Sequence, residues 1–268
     1  MPNSQESELN KVADQLVAIR HGAMHDDLGL QRHKRRAEAA MAEHPAKAHN
    51  ILGTIATIRR DEGAMRNHFR LARLNDPWDP AVRVNHVASL QDFGCLSEAA
   101  EVAIKNCEDL PRNPELLCQV VESCVFAGRL QYAAQRLTIL EKFKLLHAVS
   151  GMESLLRCSQ FLAERGVGDQ EVESLQNQAT ALLRKVGVPI PQVRIALESE
   201  ASALPPHDRW VSFSLIVPLV AAEVEPLQQK LHRHLLRSPS PKETSKWVKV
   251  GYMTREQSAE MTEEAPSG

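Results

Sequence analysis

PELLCQVVESCVFAGRLQYAAQRLTILEKFKLLH, residues 114–147, lies without a gap over PAVRVNHVASLQDFGCLSEAAEVAIKNCEDLPRN, residues 80–113. Gly128 falls on Gly94, Leu130 on Leu96, Ala133 on Ala99, Ala134 on Ala100 and Pro114 on Pro80. Residues 46–79 fit the same frame of 34 residues and set Pro77 beneath Pro111. A fixed period of this length marks stacked helical hairpins, each of which buries its apolar face only against its neighbours. The matching residues are those that such packing needs. Small Ala99 and Ala133 let paired helices approach closely. Gly94 and Gly128 suit the left-handed residue that ends a helix. Pro77 and Pro111 stop the second helices, because an interior proline removes a hydrogen bond and clashes with the preceding turn.

Leu52-Gly53, Phe69, Ala72 and the exit Asn75-Asp76-Pro77 of the first segment, together with the mid-repeat glycines and alanine pairs of the next two, resemble the tetratricopeptide repeat family. Two departures stand out. Met65 occupies the place of Ala99, and His86 sits where the family has an apolar residue. The resemblance implies that the first helix of each hairpin lines a concave groove and that its fifth, ninth and twelfth places face a ligand. Those places hold Asn50, Thr54 and Thr57, then Val84, Ala88 and Gln91, then Cys118, Glu122 and Val125. With little positive charge, this set departs from the family members that clamp a terminal carboxylate; a partner peptide with apolar anchors fits it better.

The flanks extend the pattern. Leu9 to His25 and Leu28 to Glu43 read as a capping hairpin over 9–43, and 148–187 as a terminal hairpin in which Asp169 is expected to cap the helix that follows it. Beyond Pro191 the period becomes two. Val193, Ile195 and Leu197 form one alternating segment, Val211, Phe213, Leu215 and Val217 another. A helix over Ala221–Leu236 follows, then a Ser-Pro linker, and Lys246–Met253 is a candidate third strand. The expected fold is mainly α: a tetratricopeptide-like helical-hairpin solenoid over 1–188 and a small α/β appendage over 189–254. An acidic tail, 255–268, is expected to be disordered.

Composition narrows the function. A net charge of −2 supplies no global field toward nucleic acid or an anionic membrane. Five cysteines, with no CxxC spacing, read as reduced thiols of a cytoplasmic, soluble protein. The longest apolar run, Leu215–Ala222, is broken by Pro218 and falls short of the ~20 residues that cross a bilayer. Neither a nucleophile–base pair nor a phosphate loop stands at a persuasive spacing, so no catalytic residue, cofactor or metal is assigned. His21, His25 and Asp26 could share a metal but lack partner ligands nearby. His232 and His234, two apart on a helix, cannot face one ligand. From these features we expect a non-catalytic interaction module, an adaptor, scaffold or chaperone-like protein, holding a partner peptide in the groove, with the appendage available for self-association. Two alternatives are an accessory subunit of an enzyme complex and a regulatory nucleic-acid-associated protein. The latter would use Lys230, Arg233, Arg237, Lys242, Lys246 and Lys249, with Trp247 and Tyr252 as stacking surfaces.

Overall fold

Helices begin where the frame places them. In the computed structural model, which describes residues 4–21, 27–146, 151–190, 192–199, 209–237 and 244–263, α3 (Pro45–Ile58), α5 (Pro80–Asp92) and α7 (Pro114–Ala127) each open with a proline in the first turn. There the missing N–H costs nothing. Their partners α4 (Glu62–Asn75), α6 (Leu96–Asp109) and α8 (Leu130–Lys142) start 34 residues apart. The Asp79 and Asn113 side chains accept from the first-turn N–H groups of α5 and α7. Gly94 and Gly128 take φ of +70° and +84°, as their place at a helix end requires. Arg60 occupies the equivalent position in the first segment with φ +59°. The closing hydrogen bonds match too: Asp61 N–H donates to Ala56 O (2.9 Å), as Arg129 N–H does to Cys124 O (2.8 Å).

The chain divides into two compact units, Met1–Phe93 and Gly94–Gly268. In the first, α1 (Ser4–His21) and α2 (Asp27–Ala39) supply Leu9, Val12, Leu16 and Leu30 to a core with Ile51 and Ile55 of α3. Every residue from Ile51 to Ile58 is buried, so α3 is this unit's central helix. Gly53 makes that packing fit, since a Cβ on it would stand 2.9 Å from the Phe69 ring. His86, out of place in the sequence pattern, stacks on the same ring, centroids 5.2 Å apart.

The second unit holds α6, α7, α8, α9 (Met152–Glu164) and α10 (Asp169–Lys185), followed by a three-stranded sheet. The strands β1 (Gln192–Ser199), β2 (Arg209–Val217) and β3 (Val248–Thr254) lie in that order. β1 runs antiparallel to β2, with Val193 opposite Leu215, and β3 runs parallel to β2. The parallel pair needs a crossover, which α11 (Ala221–Arg237) provides. A short turn, α12 (Thr244–Trp247), leads into β3. The sheet shares its unit with α6–α10. The acidic segment after 254 begins with a helix. It forms α13 (Arg255–Glu263), whose start is locked by Thr254 and Gln257 exchanging side-chain and backbone hydrogen bonds of 3.0 and 3.1 Å.

The terminal hairpin differs from its sequence reading in one informative place. Asp169 does not cap its own helix; Glu171 accepts from Gly168 N–H instead. The Asp169 carboxylate reaches across to the start of α8 and accepts from Gln131 N–H (2.8 Å) and Tyr132 N–H (2.9 Å). Beside it, Arg129 forms a two-pronged pair with Glu173 at 2.9 and 2.6 Å, both side chains largely shielded from water. Asp169→Ala is therefore expected to orphan two helix-start donors and lower stability by about 2–3 kcal/mol, read from urea melts. A loss below about 0.5 kcal/mol would mean that this end of α8 is held by other contacts.

Candidate functional site

A cleft of about 440 Å³ opens in the second unit, within the range of small-ligand and side-chain pockets. One wall is α7, which turns Val121, Glu122, Val125 and Phe126 toward it. The first turn of α9 adds Leu155 and Ser154, and α13 contributes Ser258. The opposite wall is β1, from Gln192 through Ile195. Two of the groove residues expected from sequence, Glu122 and Val125, thus do line one concave surface. Their neighbour across it is a strand of the C-terminal sheet, which sequence reasoning placed in a different domain.

The chemistry of the cleft centres on Glu122. Glu122 is exposed, and the cavity it borders is lined both by apolar Val121, Val125, Phe126 and Leu155 and by polar Ser154, Gln192, Arg194 and Ser258. Desolvation raises its pKa above the ordinary glutamate value. A carboxyl raised in the folded state favours folding fully only below its unfolded pKa, and that contribution is lost as pH rises through the folded value.

The other expected groove residues lie elsewhere. Asn50, Thr54 and Thr57 are buried, a correction to their ligand-facing assignment. Thr54 and Thr57 donate to carbonyls one turn back in their own helix, and Asn50 accepts from Asn85 Nδ2 at 3.1 Å. Val84, Ala88 and Gln91 are half-buried on α5, and Cys118 is half-buried on α7. Ser154, Leu155, Arg194 and Ser258 were missed. The alternating pattern announced β1 but not what it would face.

The basic stretch offers less to a nucleic acid than its composition suggested. Lys230, Arg233, Arg237, Lys246 and Lys249 are exposed, while Lys242 lies outside the described residues. Tyr252 is buried and donates its hydroxyl to Ala179 O at 2.7 Å, which removes it as a stacking surface. Lys249 Nζ covers the Trp210 ring at 3.4 Å, and the Arg165 guanidinium lies 4.7 Å from the Trp247 ring centre. A base stacking on those faces would first displace a cation already held there.

One titratable pair stands apart from the cleft. In the first unit His49 Nδ1 and His68 Nδ1 are 3.1 Å apart, so one ring donates and the other accepts. Desolvation lowers both pKa values, with His49 and Lys34 adding to the effect on His68 and Asp61 opposing it. A histidine lowered in the folded state supports folding above its unfolded pKa and loses that support as pH falls through the folded value. The chain is expected to lose stability between about pH 7 and pH 5, less steeply in His68→Gln. Equal pH slopes for parent and variant in chemical melts would clear the pair of this role. Of the three residues that could have shared a metal, His21 ends α1, and His25 and Asp26 lie outside the described residues. Among the described residues no three metal-ligating side chains gather at one point.

Fold and cleft together define a mainly helical protein whose small C-terminal mixed sheet closes one side of a helical concavity. No family model, curated protein or solved structure matches the chain. Among the described residues no helix is long and apolar enough to cross a membrane.

Proposed function

We propose that this protein is a non-catalytic interaction module of tetratricopeptide-like build, and that it holds a segment of a partner protein in the cleft between α7 and β1. The observation that carries the reading is the concavity itself, on which α7 presents the exposed carboxylate of Glu122 beside Val121, Val125 and Leu155. A cleft that joins apolar walls to a few polar groups, one of them with a shifted pKa, is a candidate binding site. The apolar walls supply anchors, and the carboxylate supplies direction and specificity. The nucleic-acid alternative is weakened by the cations already seated on Trp210 and Trp247.

The test is a random-peptide display selection against the whole chain, followed by titration of the selected peptides against parent, Glu122→Gln and Glu122→Arg. Both variants are expected to melt within about 0.5 kcal/mol of the parent, or above it. Both are expected to bind the selected peptides at least tenfold more weakly, about 1.4 kcal/mol. Selected peptides that bind the two variants as well as the parent would move the function away from this cleft.

A further inference from the structure

The histidine pair of the first unit is set by two closely packed helices. His49 stands on α3 and His68 on α4, both half-buried and within reach of solvent. Gly53 of α3 lies against the Phe69 ring of α4, and that approach fixes the spacing of the two helices beside the pair. His49 Nδ1 and His68 Nδ1 end 3.1 Å apart, and the ring centroids are 5.3 Å apart, so the two rings face each other through these nitrogens. An ion at about 2.0–2.1 Å from each nitrogen would see them at an angle of about 100°, between the square-planar and tetrahedral values. Each ring reaches that arrangement by a small turn about χ2, a torsion with a broad well. Desolvation holds both pKa values down, so near neutrality both rings are in the uncharged form that binds metals. Two charges from other positions act on His68, Lys34 of α2 and Asp61 at the start of α4, and their signs are opposite. The Lys34 ammonium is drawn to Glu38 of its own helix at 3.7 Å.

We propose that His49 and His68 form a two-ligand site for a divalent first-row transition-metal ion, held through the two Nδ1 atoms. The site is independent of the cleft and of the interaction reading above. Imidazole suits zinc, nickel and copper, whereas magnesium and calcium take oxygen ligands. Two protein ligands leave the remaining coordination positions to water or to a donor from another molecule. In the metal-free pair one ring carries its proton on Nδ1 and donates it, and the other carries its proton on Nε2. Ligation moves the first ring's proton to Nε2, so that both rings become Nε2–H tautomers. One hydrogen bond is exchanged for two metal–nitrogen bonds, and near neutrality no proton is released. The ion would then tie α3 to α4.

The experiment uses the full chain, freed of metal with a chelator, and Zn²⁺ alone as the probe. Because the chain carries 11 histidines, the parent is compared with His49→Gln, His68→Gln and a control, His232→Gln, at an exposed position away from the pair. Calorimetric titration is expected to show a Zn²⁺ site shared by parent and control that weakens at least tenfold in either variant of the pair. Ni²⁺ is expected to follow Zn²⁺, and Mg²⁺ at the same concentrations to leave the site empty. Nitrogen NMR of the histidine side chains in the parent is expected to show the Nδ1 signals of His49 and His68 moving together on addition of Zn²⁺, with both rings ending as the Nε2–H tautomer. These spectra need no variant, so they decide the matter even where a substitution disturbs folding. Titrations that are the same in all four proteins, or spectra in which those two Nδ1 signals stay in place, would overturn the site and leave the pair as a hydrogen bond alone.

Discussion

A chain cut after residue 188 is expected to lose cooperative structure in α9 and α10 while α3 keeps its protection. The removed part covers those helices. Trp247 meets the Phe161 ring edge-on at 6.1 Å, and the Tyr252 hydroxyl is bonded to the Ala179 carbonyl. Uncovering a side chain such as Phe161 alone forfeits about 1.5–3 kcal/mol. Several such losses in one unit approach the whole margin of ~5–15 kcal/mol by which a protein is stable. Hydrogen exchange resolved by segment reads the outcome directly. Parent-like protection in α9 and α10 of the shortened chain would restore a separable appendage, as the change of period at Pro191 suggests.

Gly128→Ala carries the second large effect, because two penalties coincide there. At φ +84° an alanine costs about 1–2 kcal/mol in left-handed backbone strain. Its Cβ would also stand 2.9 Å from Val172 Cγ1 and 3.2 Å from the backbone nitrogen of Glu173, and such overpacking adds about 1–3 kcal/mol. The chain supplies its own control. Gly166, at φ +69°, has nothing within 4 Å of the place a Cβ would take, so Gly166→Ala should show the backbone cost alone. Thermal or urea melts in which both alanine variants fall equally would remove the packing half of the argument. Arg60, at the same place in the first segment, tolerates φ +59° while its guanidinium lies 4.6 Å from the Phe93 ring centre and bonds Asp92 O at 2.8 Å.

The comparison of Arg60 with Gly94 and Gly128 shows how far local rules carry. The sequence by itself determined the helix starts at Pro80 and Pro114, the left-handed ends at Gly94 and Gly128, and the strands of period two, because each follows from propensity and spacing within a few residues. Arg60 could not be read that way, since an arginine gives no local signal for the left-handed region, and its guanidinium contacts, a ring and a carbonyl, lie more than thirty positions on. Asp169 is legible as a helix-capping residue, but which helix it caps was decided by the packing of α10 against the start of α8. Of the expected groove, Glu122 and Val125 reached a concave surface, whereas Asn50, Thr54 and Thr57 went into the interior. Position within a repeat fixes which way a side chain leaves its helix. Only tertiary structure decides what stands opposite it, and for Glu122 that is β1, a strand some seventy positions later in the chain.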